Sequence, residues 1–153
     1  MRLISSLFVI ALAASAQIRS TVQTFGMVGI ASGQAARLNV LNVGGRDQAS
    51  QCLASLIFIN DQGEVLKTNT LSISAGHSAL LDLNDSDLGL GVTERRQIRA
   101  VVALVPAVVS TQNLASCVLA PTLEIFDRST GRTSVLMTTT TNIPQTPAVT
   151  IQQ

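Results

Sequence analysis

Hydrophobic and polar residues alternate over short stretches of this chain, with the period of two that marks a half-buried β-strand. From Ala36 to Val43, aliphatic side chains take alternate positions and polar ones such as Arg37 and Asn39 lie between them. Glycine-containing turns separate such stretches, and no segment has the period of an amphipathic helix. The pattern predicts an all-β chain.

Two stretches that each begin at a cysteine have the pattern of a β-hairpin. The clearer one runs from Cys117 to Leu136 with a turn at 127–131, and the weaker one from Cys52 to Leu66 with a turn at 60–63. In each, two apolar or β-branched runs flank a turn that ends in glycine. The expected fold is an antiparallel β-sandwich of about 7–8 strands.

Two predicted strand segments are apolar on both faces. They run from Cys52 to Ile59 and from Val101 to Val105. A strand of this kind is either central and covered on both sides or part of an interface, and the sequence leaves both alternatives open.

Residues 1–16 have the pattern of a secretory signal peptide. Arg2 is followed by a largely apolar run from Leu3 to Ala13 and then by Ala14-Ser15-Ala16, which is a small-x-small cleavage site. The apolar run is shorter than the roughly 20 residues that span a bilayer. We expect cleavage after Ala16 and a secreted or periplasmic chain with no integral membrane segment; an N-terminal core strand or membrane anchor is the alternative.

The expected domain runs from 17 to 140, and residues 141–153 form a flexible tail rich in Thr, Pro and Gln. The alternative for the tail is that Ala148 to Ile151 pairs with an exposed sheet edge, on this chain or on another.

Charge excludes some classes of function. Cleavage would remove Arg2, one of ten basic residues, and leave nine basic residues against nine acidic ones. Only 12% of the full chain is charged, which argues against nucleic-acid binding and against a polybasic membrane-surface protein. The chain has no Trp or Tyr, so it lacks the aromatic platforms that sugar-binding sites commonly use.

The only two cysteines, Cys52 and Cys117, are expected to form one disulfide, because an exported chain meets an oxidising compartment. Two buried free thiols are the alternative. No C-x-x-C pair is present and His77 is the single histidine, so we expect no metal cluster and no cofactor.

Catalysis by a nucleophile and a base would have to use His77, because it is the only histidine. Ser78 is its neighbour, but adjacent residues of a strand point to opposite faces. We therefore expect a solvated turn histidine, no catalytic residues and a protein that is not an enzyme.

The loop at 84–91 is a weak candidate for a calcium site. Its candidate ligands are Asp82, Asn84, Asp85 and Asp87. Asp82, Asn84 and Ser86 fit the first, third and fifth positions of an EF-type loop, but Asp87 stands where its turn glycine belongs and Thr93 where its bidentate Glu belongs. The alternative is a solvated polar loop.

Arg95, Arg96 and Arg99 form the one cluster of like charge and are a weak candidate for a patch that docks an anionic partner. The alternative is that they pair with nearby acids such as Asp85, Asp87 or Glu94.

Four segments in a fixed order carry a resemblance to a known kind of protein. They are FGMVGIASGQAARLNVLN, CLASLIFINDQG, LSISAGHSALLDL and CVLAPTLEIFDRSTGRTSVL. In this order the chain resembles uncharacterised small exported bacterial proteins with a single Ig-like β-sandwich domain. The resemblance covers roughly residues 25–136 and implies an Ig-like sandwich outside the cytoplasm. It carries over no functional residue, and the buried Trp and corner Tyr of immunoglobulin domains are absent.

Taken together, the sequence predicts an exported, non-enzymatic β-sandwich that works by binding or assembly at the cell envelope or outside the cell. Protein partners or self-association through sheet faces or an edge are expected. The alternative is a small-ligand or calcium-modulated binding module that uses the 84–91 loop.

Overall fold

The computed structural model describes residues 22–44, 51–105 and 117–138, and these form two antiparallel sheets packed as a β-sandwich. The predicted signal peptide at 1–16 and the predicted tail at 141–153 lie outside the described residues. The strands are β1 (Val22–Thr24), β2 (Val28–Ala31), β3 (Gln34–Asn42), β4 (Cys52–Asn60), β5 (Val65–Ile73), β6 (Ser78–Asn84), β7 (Arg95–Leu104), β8 (Leu119–Asp127) and β9 (Thr133–Thr138), and a 3-10 helix spans Asp85–Leu88.

Sheet A contains β5, β4 and β7 side by side, with β1 and β2 both paired to the far side of β7. Sheet B has the order β6-β3-β8-β9. No helix among the described residues is long and apolar enough to cross a membrane.

The first edge of sheet A is divided into two short strands, β1 and β2. Val22 pairs with Ala103, whereas Val28 pairs with Ile98, so the register shifts by one residue between them. Gly26 lies in this shift, where one additional residue has to be accommodated. The hydrophobic pattern alone could not show it.

Both predicted hairpins are confirmed, as β4–β5 and β8–β9. In the first turn, the side-chain oxygen of Asn60 accepts hydrogen bonds from the amides of Gln62 and Glu64, at 3.0 and 2.8 Å. In the second, the Asp127 carboxylate accepts from the amides of Ser129 and Thr130, at 2.9 and 2.8 Å. An Asx side chain therefore closes both turns.

The core lies between the sheets and is built from alternate residues of both. The largest fully buried apolar side chains are Phe58, Ile30, Leu38, Leu56, Leu83, Ile98, Leu123, Ile125, Val40 and Val102. The alternation predicted for β3 is confirmed, since Leu38 and Val40 point inward. On β7, Ile98 and Val102 point inward as well. The face of β4 that carries Leu56 is also buried.

Cys52 and Cys117 are disulfide-bonded, with their Cα atoms 5.6 Å apart. Cys52 begins β4 in sheet A, and Cys117 lies two residues before β8 in sheet B. The bond therefore ties the two layers together, and it indicates an oxidising environment.

Candidate functional surfaces

The outer face of sheet A carries a contiguous aliphatic surface, which we call the aliphatic face. Its residues are Leu53, Ile57 and Ile59 on β4, Val101 and Ala103 on β7, and Val105 directly after β7. Ile57 lies opposite Val101, and the Val105 amide donates to the Leu53 carbonyl at 2.9 Å. All six are half-buried. The sequence left two alternatives for the apolar strands, a central position covered on both sides or an interface. Among the described residues, β4 and β7 are central strands, and one of their two faces is uncovered.

Short hydroxyl side chains border the aliphatic face on the β5 side. Thr68, Thr70 and Ser72 lie opposite Ile57, Ser55 and Leu53, respectively. The hydroxyls of Ser55 and Thr70 are hydrogen-bonded at 2.7 Å. The position of these hydroxyl residues beside an aliphatic surface could not be read from the sequence.

The outer face of sheet B has a different chemistry, because it carries an ion pair between β3 and the edge strand β6. Arg37 on β3 donates to both carboxylate oxygens of Asp82 on β6, through Nε and Nη2 at 2.7 Å each. The same guanidinium lies 5.2 Å from the ring centroid of Phe126. The hydrogen bond to Asp82 raises the pKa of Arg37.

Exposed leucines also lie on three strands of sheet B: Leu80 on β6, Leu41 on β3 and Leu136 on β9. Leu41 pairs with Ser78 and Leu80 pairs with Asn39, so these two leucines lie diagonally across neighbouring strands. Arg37, Asn39 and Asp82 interrupt this apolar surface, whereas the aliphatic face of sheet A carries Ser55 as its one polar residue.

The carboxylates of the candidate calcium loop are bound to cations of the protein itself. Asp85 accepts from Arg128 at 2.6 Å and from the Gly33 amide at 2.7 Å. Asp87 accepts from Lys67 at 2.8 Å and from the Asn84 amide at 3.0 Å. Asp82 lies on β6, where it pairs with Arg37 rather than facing the other two.

These hydrogen bonds lower the pKa values of two of the carboxyl groups. The pKa of Asp85 is lowered mainly by the Gly33 amide and then by Arg128, and that of Asp87 mainly by Lys67. Within 22–44, 51–105 and 117–138, no group of three or more His, Cys, Asp or Glu residues is placed to hold a metal ion. A calcium ion here would have to displace ammonium or guanidinium groups from the carboxylates.

The three arginines of the candidate docking patch do not lie on one side of β7. Arg95 and Arg99 fall at positions that face outward, and Arg99 is paired with Ile59 at one end of the aliphatic face. Arg96, one position along from Arg95, pairs with Ile30, whose side chain is buried on the opposite side of the sheet.

The alternative given for these arginines, pairing with Asp85, Asp87 or Glu94, is not found among the described residues. Asp85 pairs with Arg128 and Asp87 pairs with Lys67, while Glu94 accepts a hydrogen bond from the Gly91 amide at 2.9 Å. Arg95 instead lies against Gly29, where an added Cβ would be only 1.8 Å from its Nε atom. Glycine at this position makes room for the arginine side chain.

His77 lies exposed in the turn between β5 and β6, and its Nδ1 atom is 3.2 Å from the Ala75 carbonyl oxygen. The prediction of an exposed turn histidine is confirmed.

A groove of about 300 Å³ lies between β2 and β9. Its lining residues are Gly29, Ala31, Gln34, Arg95, Ser134 and Val135. Val135 is 37% exposed although it pairs with the buried Ile125, so the sandwich is partly open along this side.

Comparison of the chain with protein-family models, curated proteins and solved structures found no match.

Proposed function

We propose that this protein is an exported, non-enzymatic β-sandwich that acts by binding or assembly through the aliphatic face of sheet A. The observation that carries this proposal is the difference between the two outer faces. The face of sheet A is aliphatic across β4 and β7, whereas the Arg37–Asp82 pair and Asn39 interrupt the apolar residues of the other.

A contiguous apolar surface on the outside of a domain is characteristic of a docking site. Ile57 and Val101 lie side by side at its centre, and Arg99 is the one charged residue that borders it from β7. Threonine and serine hydroxyls form the border on β5. This arrangement of an apolar centre with a polar rim is that of a protein–protein interface.

The non-enzymatic part of the proposal is supported by the surroundings of His77. Its ring hydrogen-bonds a backbone carbonyl of its own turn, and no hydrogen bond to it from a carboxylate or from a nucleophilic hydroxyl, as in a Ser-His-Asp triad, is present among the described residues. Export is supported by the signal-peptide pattern at 1–16 and by the disulfide.

An Ig-like classification is supported by the two-layer architecture and by a disulfide that joins the layers. The strand order differs from that of immunoglobulin constant domains. In this chain the edge strands β1 and β2 of sheet A pair with β7 rather than with β3, the strand that follows them in the chain. We therefore propose the likeness in its broad architectural sense.

Two matched variants test the proposed function. Ile57→Lys places a charge at the centre of the aliphatic face, and Asn39→Lys places the same charge on β3, a central strand of the other sheet. Tagged wild type and both variants are used to capture binding partners from an envelope extract, after their melting temperatures have been compared. Partners retained by wild type and Asn39→Lys but lost by Ile57→Lys support the proposal. Equal capture by all three proteins contradicts it.

A further inference from the structure

We propose that the outer edge of β5, which has no ladder partner among the described strands, pairs antiparallel with β5 of a second copy of this chain, so that sheet A continues through both copies. This inference rests on the proposed function and deepens it, because it names a second copy as the partner in assembly. It concerns the edge of the sheet and leaves the aliphatic face exposed.

The hydrogen-bonding direction of β5 follows from its neighbours. The Val105 amide bonds to the Leu53 carbonyl, so the odd-numbered residues of β4 direct their backbone groups toward β7. The even-numbered residues of β4 direct their backbone N–H and C=O groups toward β5 instead. The Asn60 amide indeed bonds to the Glu64 carbonyl on the β5 side, at 2.9 Å.

On β5, the partners of these alternate β4 residues direct their backbone groups toward β4. They are Lys67, Asn69 and Leu71, which lie opposite Phe58, Leu56 and Ala54. The residues between them therefore direct their N–H and C=O groups away from the sheet. These are Thr68, Thr70 and Ser72, and among the described strands they have no ladder partner on that side.

The β5 edge has few of the features that protect an edge strand from pairing. It is nine residues long, contains no proline, and its bulge lies near its beginning, opposite Phe58 and Ile59. Its one charge, Lys67, is already paired with Asp87 at 2.8 Å. The opposite edge of sheet A is divided into β1 and β2, of three and four residues, and so offers no long regular ladder.

The sequence of β5 is self-complementary about Asn69. With a two-fold axis at this residue, Thr68 lies opposite Thr70 of the second copy, and both are residues whose backbone groups point outward. The register therefore satisfies the hydrogen-bonding directions, and it places threonines in cross-strand pairs, which are favourable. Asn69 would face Asn69 of the second copy, and no like charges would be opposed.

In this arrangement the two aliphatic faces lie on the same side of one continuous sheet. A two-fold axis perpendicular to the sheet exchanges the copies without turning either of them over. Self-association through the edge would thus double the width of the surface available to a further partner.

Substitutions at the proposed axis give the sharpest test. Asn69→Lys brings two lysines directly opposite each other, and Asn69→Asp does the same with two carboxylates. Each variant alone should bind its own copy at least about tenfold more weakly than wild type at low salt. An equimolar mixture of the two variants should associate again, because opposite charges then meet. The mature chain is measured by analytical ultracentrifugation from about 1 µM to about 500 µM, the range expected for a small interface.

A second pair of variants separates this edge from the neighbouring one. Thr70→Pro removes an outward N–H of β5 and should abolish the dimer. Leu80→Pro removes an outward N–H of β6, as follows from the bond between the Asn42 amide and the His77 carbonyl, and should leave the dimer intact. Melting temperatures of both variants show whether the sandwich itself is retained.

A dimer that Asn69→Lys and Thr70→Pro both weaken, with recovery in the mixture, supports the inference. A wild-type chain that is monomeric at all concentrations overturns it, as does a dimer that persists in both variants or is lost only in Leu80→Pro. A monomer would leave the proposed function standing if partners are still captured through Ile57. If the dimer is intact but wild type, Ile57→Lys and Asn39→Lys capture partners equally, only the proposed function is contradicted.

Discussion

The Asp85 carboxylate accepts a 2.6 Å hydrogen bond from Nη1 of Arg128, which joins the 3-10 helix after β6 to the turn between β8 and β9. The same carboxylate accepts from the Gly33 amide, and the Arg128 amide donates to the Gly33 carbonyl at 2.9 Å. Three loops from distant parts of the chain are therefore held together at one end of the sandwich. These contacts give the candidate calcium loop a structural role in the described chain.

Asp85→Asn should lower the melting temperature, because it removes the charge that Arg128 pairs with and one acceptor that the Gly33 amide uses. The measurement is thermal unfolding followed by circular dichroism. Asp61→Asn, in the exposed β4–β5 turn, is the matched control and should leave the melting temperature nearly unchanged. Equal melting temperatures for wild type and Asp85→Asn would show that the contact between the three loops contributes nothing to stability.

Folding stability should fall as the pH is lowered from about 4 to about 2. Hydrogen bonds from Ser129 and Thr130 lower the pKa of Asp127 to about 2, and the pKa values of Asp85 and Asp87 are lowered as well. A carboxyl group whose pKa is lower in the folded state stabilises the fold above its unfolded pKa of about 3.9 and loses that effect as it is protonated.

The measurement for this pH dependence is urea unfolding between pH 2 and pH 6. The decline should be shallower in Asp127→Asn, since that variant lacks the carboxylate whose pKa is lowered to about 2. Stability that rises toward pH 2 would contradict the assignment of these hydrogen bonds.

Calcium at millimolar concentration should not change the melting temperature. The carboxylates of Asp82, Asp85 and Asp87 are paired with Arg37, Arg128 and Lys67, respectively, and calcium would have to replace these partners while gaining few other ligands. Magnesium at the same concentration controls for ionic strength. A rise in melting temperature that is specific to calcium would instead favour the calcium-modulated alternative.

Removing the disulfide through the double substitution Cys52→Ser and Cys117→Ser should lower the free energy of unfolding by about 4 kcal/mol, as the chain-entropy model gives for a closed loop of this length. Denaturant titration of the two proteins measures this difference. An assay for free thiols on the non-reduced wild-type chain should find none. Two reactive thiols would contradict the disulfide and remove its support for an oxidising compartment.

The sequence predicted those features that depend on neighbouring residues. Period-two alternation identified the inward face of β3, and the turn residues identified both hairpins, because backbone pleat and turn geometry act over a few positions. The Cys52–Cys117 bond followed from having only two cysteines in a chain with an export pattern.

Long-range relationships could not be read from the pattern. The Arg128–Asp85 pair joins residues 43 positions apart, and the sequence offered Arg95, Arg96 and Arg99 as closer partners for the same carboxylate. The apolar character of β4 likewise left its position undecided until β7 and β5 were placed on either side of it. Such choices depend on sheet order, which alternation does not encode.

The most direct test of the central claim is site-specific photo-crosslinking in the producing cell. Ile57→p-benzoylphenylalanine places the reactive group at the centre of the aliphatic face, and Asn39→p-benzoylphenylalanine places it on the opposite outer face. Discrete crosslinked products are expected from position 57, and none of comparable yield from position 39. Equal crosslinking from both positions, or products from position 39 alone, would contradict the claim that the aliphatic face is the binding surface.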